Sequence, residues 1–217
     1  MALSFPLSLH DFWLKLPIRR LQFDCPGVTT HARTRGGEIL PAEIGTRLWT
    51  AQVELGDMTA DEWDEVDALL IALNAGGASF LATDTRRPMP AADPTGAGLA
   101  GSNPAISSSP NVNDLTLSGL PPQYALRRGD MLSFSYGGNP VRRALHKVVT
   151  GGVADLAGNL TLTITPPRES AAPNGTAVRL IRPVCKMLIV PDSIEPGFGR
   201  AGGIHTGVTF SCQQTLR

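Results

Sequence analysis

The sequence predicts a mainly β chain with one prominent α-helix, in which a β-sandwich-like domain is interrupted by an inserted antiparallel β-barrel. Three observations predict it. Short runs of alternating apolar and polar residues recur about every 10–15 residues between Gly, Asn and Pro turns, the pattern of an antiparallel barrel or sandwich. One segment, from Thr59 onward, switches to the helical period. Between Pro88 and Pro122 lie seven prolines and no Lys or Arg, so this stretch crosses the surface as extended chain and turns.

Taken in order, Phe5, Leu7 and Leu9 alternate with polar or small residues, as do Phe12, Leu14, Leu16 and Ile18; both runs predict short strands. Leu21, Phe23 and Cys25 share one face of the next strand, which Pro26-Gly27 ends. Residues 29–45 are polar around Gly36-Gly37 and predict an exposed loop or long hairpin. Trp49, Ala51, Val53 and Leu55 then fall on one strand face. The helix, residues 59–74, opens with Thr59 as cap and Glu62 completing a capping box. Trp63, Val66, Leu70 and Leu73 form its apolar stripe, and Gly76-Gly77 supplies the exit. Ser79 to Thr83 is the following strand.

From the end of the proline-rich stretch onward, strands are predicted at 114–118, 126–130, 131–136, 144–149, 160–164, 177–181, 185–190 and 208–216. Residues 191–203 are predicted to be a loop. The chain therefore divides into residues 1–87, a first β-domain carrying the helix; 88–182, an inserted antiparallel β-barrel or sandwich; and 183–217, the return to the first domain.

Composition narrows the function. Basic and acidic side chains balance at 19 each, so the net charge is zero and gives no general attraction to nucleic acid or anionic membrane. No apolar run is long enough to span a bilayer. The start, MALSFPLSLHDFW, has no basic residue before its apolar part and is broken by Pro6, His10 and Asp11, so no secretory leader is expected. Cys25, Cys185 and Cys212 are too far apart for a zinc ribbon and are expected as free, buried thiols, Cys212 on the inward face of a strand.

No reactive constellation emerges, and no catalytic, cofactor-binding or metal site is expected. Gly96-Ala-Gly98-Leu-Ala-Gly101 matches a dinucleotide fingerprint in spelling, but prolines flank it where a strand and a helix are required. His10, His31, His146 and His205 lie at no metal-binding spacing, and adjacent His10-Asp11 would point to opposite sides of a strand. A pocket gathering His146, Asp130 and Asp155 is the arrangement that would argue for an enzyme. Arginine pairs at 19–20, 86–87, 127–128 and 142–143 suit either rim salt bridges or subunit contact. Trp49 and Trp63 are expected mostly in the core, while Trp13 near the terminus is left open between the core and an interface.

Two signatures resemble the distal tail proteins of long-tailed bacteriophages and related minor tail proteins. The first is the strand Arg47-Leu-Trp49-Thr-Ala-Gln-Val-Glu-Leu55, the helix from Thr59 with Trp63 and Leu70, and the closing run Leu73-Asn-Ala-Gly76-Gly77-Ala-Ser-Phe80-Leu-Ala-Thr-Asp84. The second is Leu126-Arg-Arg-Gly129-Asp130-Met-Leu-Ser-Phe134, then Arg143-Ala-Leu145-His-Lys-Val148, then Gly158 to Arg168, Asn174-Gly175-Thr-Ala-Val178 and Pro183. The resemblance covers residues 47–190 and rests on spacing and turn chemistry. It implies a ring-forming domain with an inserted β-domain. It also implies a homo-oligomer, a hexameric ring joining the tail tube protein to the baseplate hub protein and to receptor-binding proteins. Such a subunit belongs to the virion tail tip and assembles in the bacterial cytoplasm. A closed ring needs two different sticky edges per subunit, and the N-terminal arm and loop 29–45 are the candidates. The competing expectation is a carbohydrate- or receptor-binding module of a phage tail, with Tyr124, Phe134 and Tyr136 as the aromatics in the barrel.

Overall fold

The computed structural model describes residues 3–168 and 172–217. It is mainly β with one prominent helix and a curled antiparallel sheet.

The N-terminal run does not form the two strands that its alternation suggests. Leu7 makes a single parallel bridge to Phe80. Residues Leu9–Trp13 then coil into a short helical turn, capped by the Ser8 hydroxyl, which accepts the Asp11 N–H. Leu9, Phe12 and Trp13 are spaced i, i+3, i+4, so all three bury on one side. Trp13 is fully buried rather than at an interface. Its indole N–H donates to the Thr83 carbonyl at 2.8 Å, and its ring stacks on Phe80. The chain continues through β1 (Ile18–Asp24), the hairpin β2 (Thr29–Arg33) and β3 (Ile39–Glu43), β4 (Thr50–Leu55), the short β5 (Met58–Thr59), the helix α1 (Ala60–Leu73) and β6 (Phe80–Ala82).

The capping box of α1 is complete. Thr59 Oγ1 accepts the Glu62 N–H, and the Glu62 carboxylate accepts the Thr59 N–H at 2.8 Å. Val66, Leu70 and Leu73 are buried. Trp63 is only half-buried, contrary to its expected place in the core, because the stripe runs off the sheet at the helix's first turn. There it stacks face to face on His205, with ring centroids 4.0 Å apart and planes within 2°.

The middle of the chain forms β7 (Ala105–Ser108), β8 (Asp114–Ser118), β9 (Ala125–Leu126), β10 (Met131–Tyr136), β11 (Arg142–Thr150), β12 (Gly152–Val153), β13 (Leu160–Thr165) and β14 (Val178–Arg179). Six of these make one antiparallel sheet in the order β14-β10-β11-β13-β8-β7. The sheet curls until its edges meet. Ala105 bridges Ala177, and Ile106 exchanges main-chain bonds with Gly175 and Thr176. Strand β7 sits inside the proline-rich stretch, where Pro104 and Pro110 hide it from pattern reading. Ile106, Leu115, Leu117, Leu132, Leu162 and Ile164 fill the interior, each at most 2% exposed. The turn into β13 needs glycine at Gly158: its φ is +77°, and a Cβ there would collide with the Leu120 carbonyl.

The chain then supplies β15 (Cys185–Ile189), β16 (Phe198–Arg200), β17 (Ile204–Thr206) and β18 (Thr209–Gln214). The predicted loop 191–203 instead contributes a hairpin, because β17 adds to β5 at the start of α1. The main sheet has the order β1-β4-β18-β15-β6, so both ends of the chain share it. Leu21, Phe23, Ala51, Val53, Phe210 and Met187 face α1 and the N-terminal turn. The opposite face carries Arg20, Gln22, Gln52, Glu54, Thr209 and Ser211 and stays polar.

Two hydrophobic cores result, one under the main sheet and one inside the curled sheet. Met131 and Leu145 project from the curled sheet into the first core. The joint is polar and specific. The Trp49 indole N–H donates to the Leu145 carbonyl at 2.7 Å. The Gln214 side chain accepts from the Trp49 backbone N–H and donates to the Arg143 carbonyl at 3.0 Å. Ser133 Oγ accepts the Val184 N–H, and the buried Asp130 carboxylate accepts the N–H groups of Ala91 and Arg127.

Replacing Gln214 by Leu leaves a buried N–H and C=O unpaired and costs about 1–3 kcal/mol. The same change at exposed Gln213, one residue away, costs less than about 0.5 kcal/mol. Urea denaturation of the two variants checks the contrast; equal losses would show that the joint does not depend on this side chain.

Candidate subunit-contact surface

The hairpin β2–β3 projects from the main sheet as an isolated two-stranded ribbon, paired from Thr29–Glu43 to Arg33–Ile39. The tip is closed by Thr34, whose carbonyl accepts the Gly37 N–H and whose hydroxyl accepts the Glu38 N–H. Every residue of both strands is exposed. Ile39, Leu40 and Ile44 remain 53%, 53% and 65% accessible, and Val28 joins them at the base. A lone hairpin is marginal in water, and large aliphatic side chains held out on both faces favour a covering partner. Of the N-terminal arm, residues 3–6 are exposed, Leu3 and Phe5 at 54% and 44%, and from Leu7 the chain enters the core.

At the foot of the hairpin, Arg47 pairs with Glu43 at 3.0 Å. Across an open trough stand Pro166, Pro167 and Arg168. Beneath it lies a small cavity of about 30 Å³ lined in part by Phe134, Tyr136, His146 and Leu216, with room for a water molecule or two. His146 is 4% exposed and stacks on Phe134. Its Nδ1 lies 2.8 Å from the Pro166 carbonyl, and its Nε2 has no hydrogen-bond partner. Burial pushes its pKa down to about 4; the Pro166 carbonyl opposes this, and the nearby Arg168 charge adds to it. The ring is therefore neutral at neutral pH.

The residues named for acid–base chemistry are not brought together. His146 sits under Pro166, Asp130 is bound to main-chain N–H groups at the joint, and Asp155 caps its own turn through the N–H groups of Ala157 and Asn159. His10 and His31 are exposed, and His205 is held between Trp63 and the Pro196 carbonyl. Gly96 to Gly101 forms a three-residue turn and bends, with no long helix behind it. All three cysteines are free thiols, though Cys25 is only half-buried. Burial raises each thiol pKa, that of Cys25 to about 11. Among the described residues no three His, Cys, Asp or Glu side chains gather as a metal site, and no helix is long and apolar enough to cross a membrane.

Among the described residues Arg86 is the one member of these arginine pairs in a salt bridge, with Asp84 at 2.8 Å, and it also donates to the Phe23 carbonyl. Pairing of β10 with β11 and β14 instead places Arg143 opposite Ser135 and Arg179 opposite Ser133 on one face. Arg143 donates to Ser135 Oγ, and Arg179 Nε donates to the Ile181 carbonyl. Burial lowers the Arg179 pKa, and repulsion from Arg143 and Arg182 lowers it further; burial and Arg143 do the same to Lys186. None of these four cations lies within 4 Å of a carboxylate among the described residues. Residues 170–191 hold three bases and no acid, a signal visible in the sequence. The cross-strand registry that adds Arg143 is not visible there.

The fold selects neutral His146, so its contribution is complete above about pH 6.5 and is lost as the pH falls toward 4. Between pH 7 and 4 wild type should lose about 3 kcal/mol more stability than His146→Phe. Denaturation at a series of pH values checks this, and parallel curves would refute it. No protein-family model matches the chain, and no curated protein matches it.

Proposed function

We propose that the chain is a structural subunit of a bacteriophage tail tip. Copies of it form a ring, six to the turn, that joins the tail tube to the baseplate hub and receptor-binding parts in the virion. The observation that carries this reading is the unpaired β2–β3 arm, with aliphatic side chains on both faces and no cover from its own chain. A heterologous ring contact supplies such a cover once per subunit. The resemblance of residues 47–190 to distal tail proteins supports the same role. The acid–base side chains spent on main-chain groups fit a protein whose work is assembly rather than chemistry.

The sugar-binding alternative lacks its platform. Tyr124, Phe134 and Tyr136 are 8%, 4% and 8% exposed, so none offers a ring face to a glycan.

Purified protein should run as a closed oligomer by light scattering and appear as rings in negative-stain images. Ile39→Asp with Leu40→Asp should keep the cooperative thermal transition but shift the particle to monomer. A wild-type chain that stays monomeric at high concentration, with no ring in intact tails, would refute the reading.

A further inference from the structure

The balanced charge of this chain is strongly segregated. From Gly56 to Thr85 there are seven acidic residues and no basic one. On α1, Asp61, Asp64, Glu65, Ala68 and Ile71 follow i, i+3, i+4, i+7, i+10 and are all exposed. Among the described residues neither Asp64 nor Glu65 makes an ion pair; Lys15 lines the same groove as Glu65 but stays beyond 4 Å. The uncompensated cations Arg143, Arg179, Arg182 and Lys186 lie elsewhere. Arg143 and Arg179 line a recess of about 70 Å³ with Ser133 and Ser135. Lys186 alternates with the core residues Cys185 and Met187 in β15 and, at 8% exposed, adds positive charge from beneath the surface. Among the described residues no carboxylate of α1 lies within 4 Å of any of these cations, so the charges of both patches are left for a second copy to pair.

We propose that the exposed acidic stripe of α1 docks on the Arg143–Arg179–Arg182 cluster of a neighbouring copy, a head-to-tail contact between unlike surfaces. The inference rests on the ring reading and names the surfaces of that contact. The guanidinium N–H groups of exposed Arg179 and of half-buried Arg143 and Arg182 present donors to carboxylates of the incoming stripe. Ala68 and Ile71 give the stripe an apolar margin. Like charges crowded on one protomer raise its free energy, and docking relieves that repulsion. Such a contact sets orientation and partner choice, while the β2–β3 arm contributes apolar burial. Because the patches differ, the contact propagates from copy to copy and closes as a ring.

The test uses two charge-reversed full chains. One carries Asp64→Lys with Glu65→Lys, the other Arg179→Glu with Arg182→Glu. Each alone should be monomeric by sedimentation and light scattering, since its altered patch meets a like charge. Mixed in equal amounts they should re-form the oligomer, because every contact again joins opposite charges. Raising salt to about 0.5 M should weaken wild-type assembly. Neutral variants, Asp64→Asn with Glu65→Gln and Arg179→Gln with Arg182→Gln, guard against misfolding and should each weaken association about tenfold. If wild type forms rings and the reversed variants do too, or the mixture stays monomeric, the contact is wrong while the ring reading stands. A monomeric wild type overturns both. Binding of a single-stranded DNA oligonucleotide through Arg179 and Arg182, with assembly unaffected by their reversal, would also overturn the contact.

Discussion

The position of β18 is the constraint on which the rest of the structure depends. It is the last strand in sequence, yet it lies in the middle of the main sheet between β4 and β15. Its Gln214 also reaches out of the sheet to Trp49 and to the Arg143 carbonyl of the curled sheet. A strand in that place fixes two things at once. It closes the sheet that α1 covers, and it sets where the second core sits relative to the first. Trp49 reinforces the joint, since its ring is buried while its N–H reaches Leu145 and Lys147 lies over its face. Both cores therefore share one set of directional bonds, which tolerate little sliding, in addition to apolar contact.

Several carboxylates, buried and exposed, follow a common economy. Asp84 holds Arg86, which in turn holds the Phe23 carbonyl. Asp130 accepts two main-chain N–H groups where the linker meets β10. Asp155 accepts N–H groups in its own turn, and Asp114 joins Asn111 to Thr163. In each case a carboxylate satisfies backbone or neighbours that a loop-rich chain would otherwise leave unpaired. This is why Asp130 and Asp155 do not converge with His146. His146 is the exception: a neutral ring with one nitrogen unpartnered beside a water-sized cavity.

How much of this was legible in the sequence depended on whether the signal was local. The helix was, because its cap and its box partner are three residues apart and its stripe is contiguous. The strands β1, β4, β10, β13 and β18 were, because each has one buried and one wet face or a bounded apolar run. The N-terminal turn was misread, since Leu7, Leu9 and Phe12, Leu14, Leu16 alternate well enough to imitate strands. Only Ser8 before the Leu9, Phe12, Trp13 spacing hinted at a turn. Strand β7 and the hairpin β16–β17 were hidden for another reason: their pairing partners, residues 175–178 and β5, are distant in sequence. The two surface patches divide the same way. The exposed ribbon at 29–45 could be read from its polarity, and Arg179, Arg182 and Lys186 from an acid-free stretch, whereas the strand registry that brings Arg143 beside them could not.

The central place of β18 has a consequence for synthesis. The curled sheet is made from the middle of the chain and can close on itself while the main sheet still lacks an interior strand. An interrupted or nicked chain that has lost β18 leaves β4 and β15 as raw edges and Gln214 missing from the joint. Such a fragment presents the arginine cluster of β10, β11 and β14 without an ordered main sheet beside it. Chains that stop early are thus marked by unfinished edges, the kind of feature that cellular quality control removes.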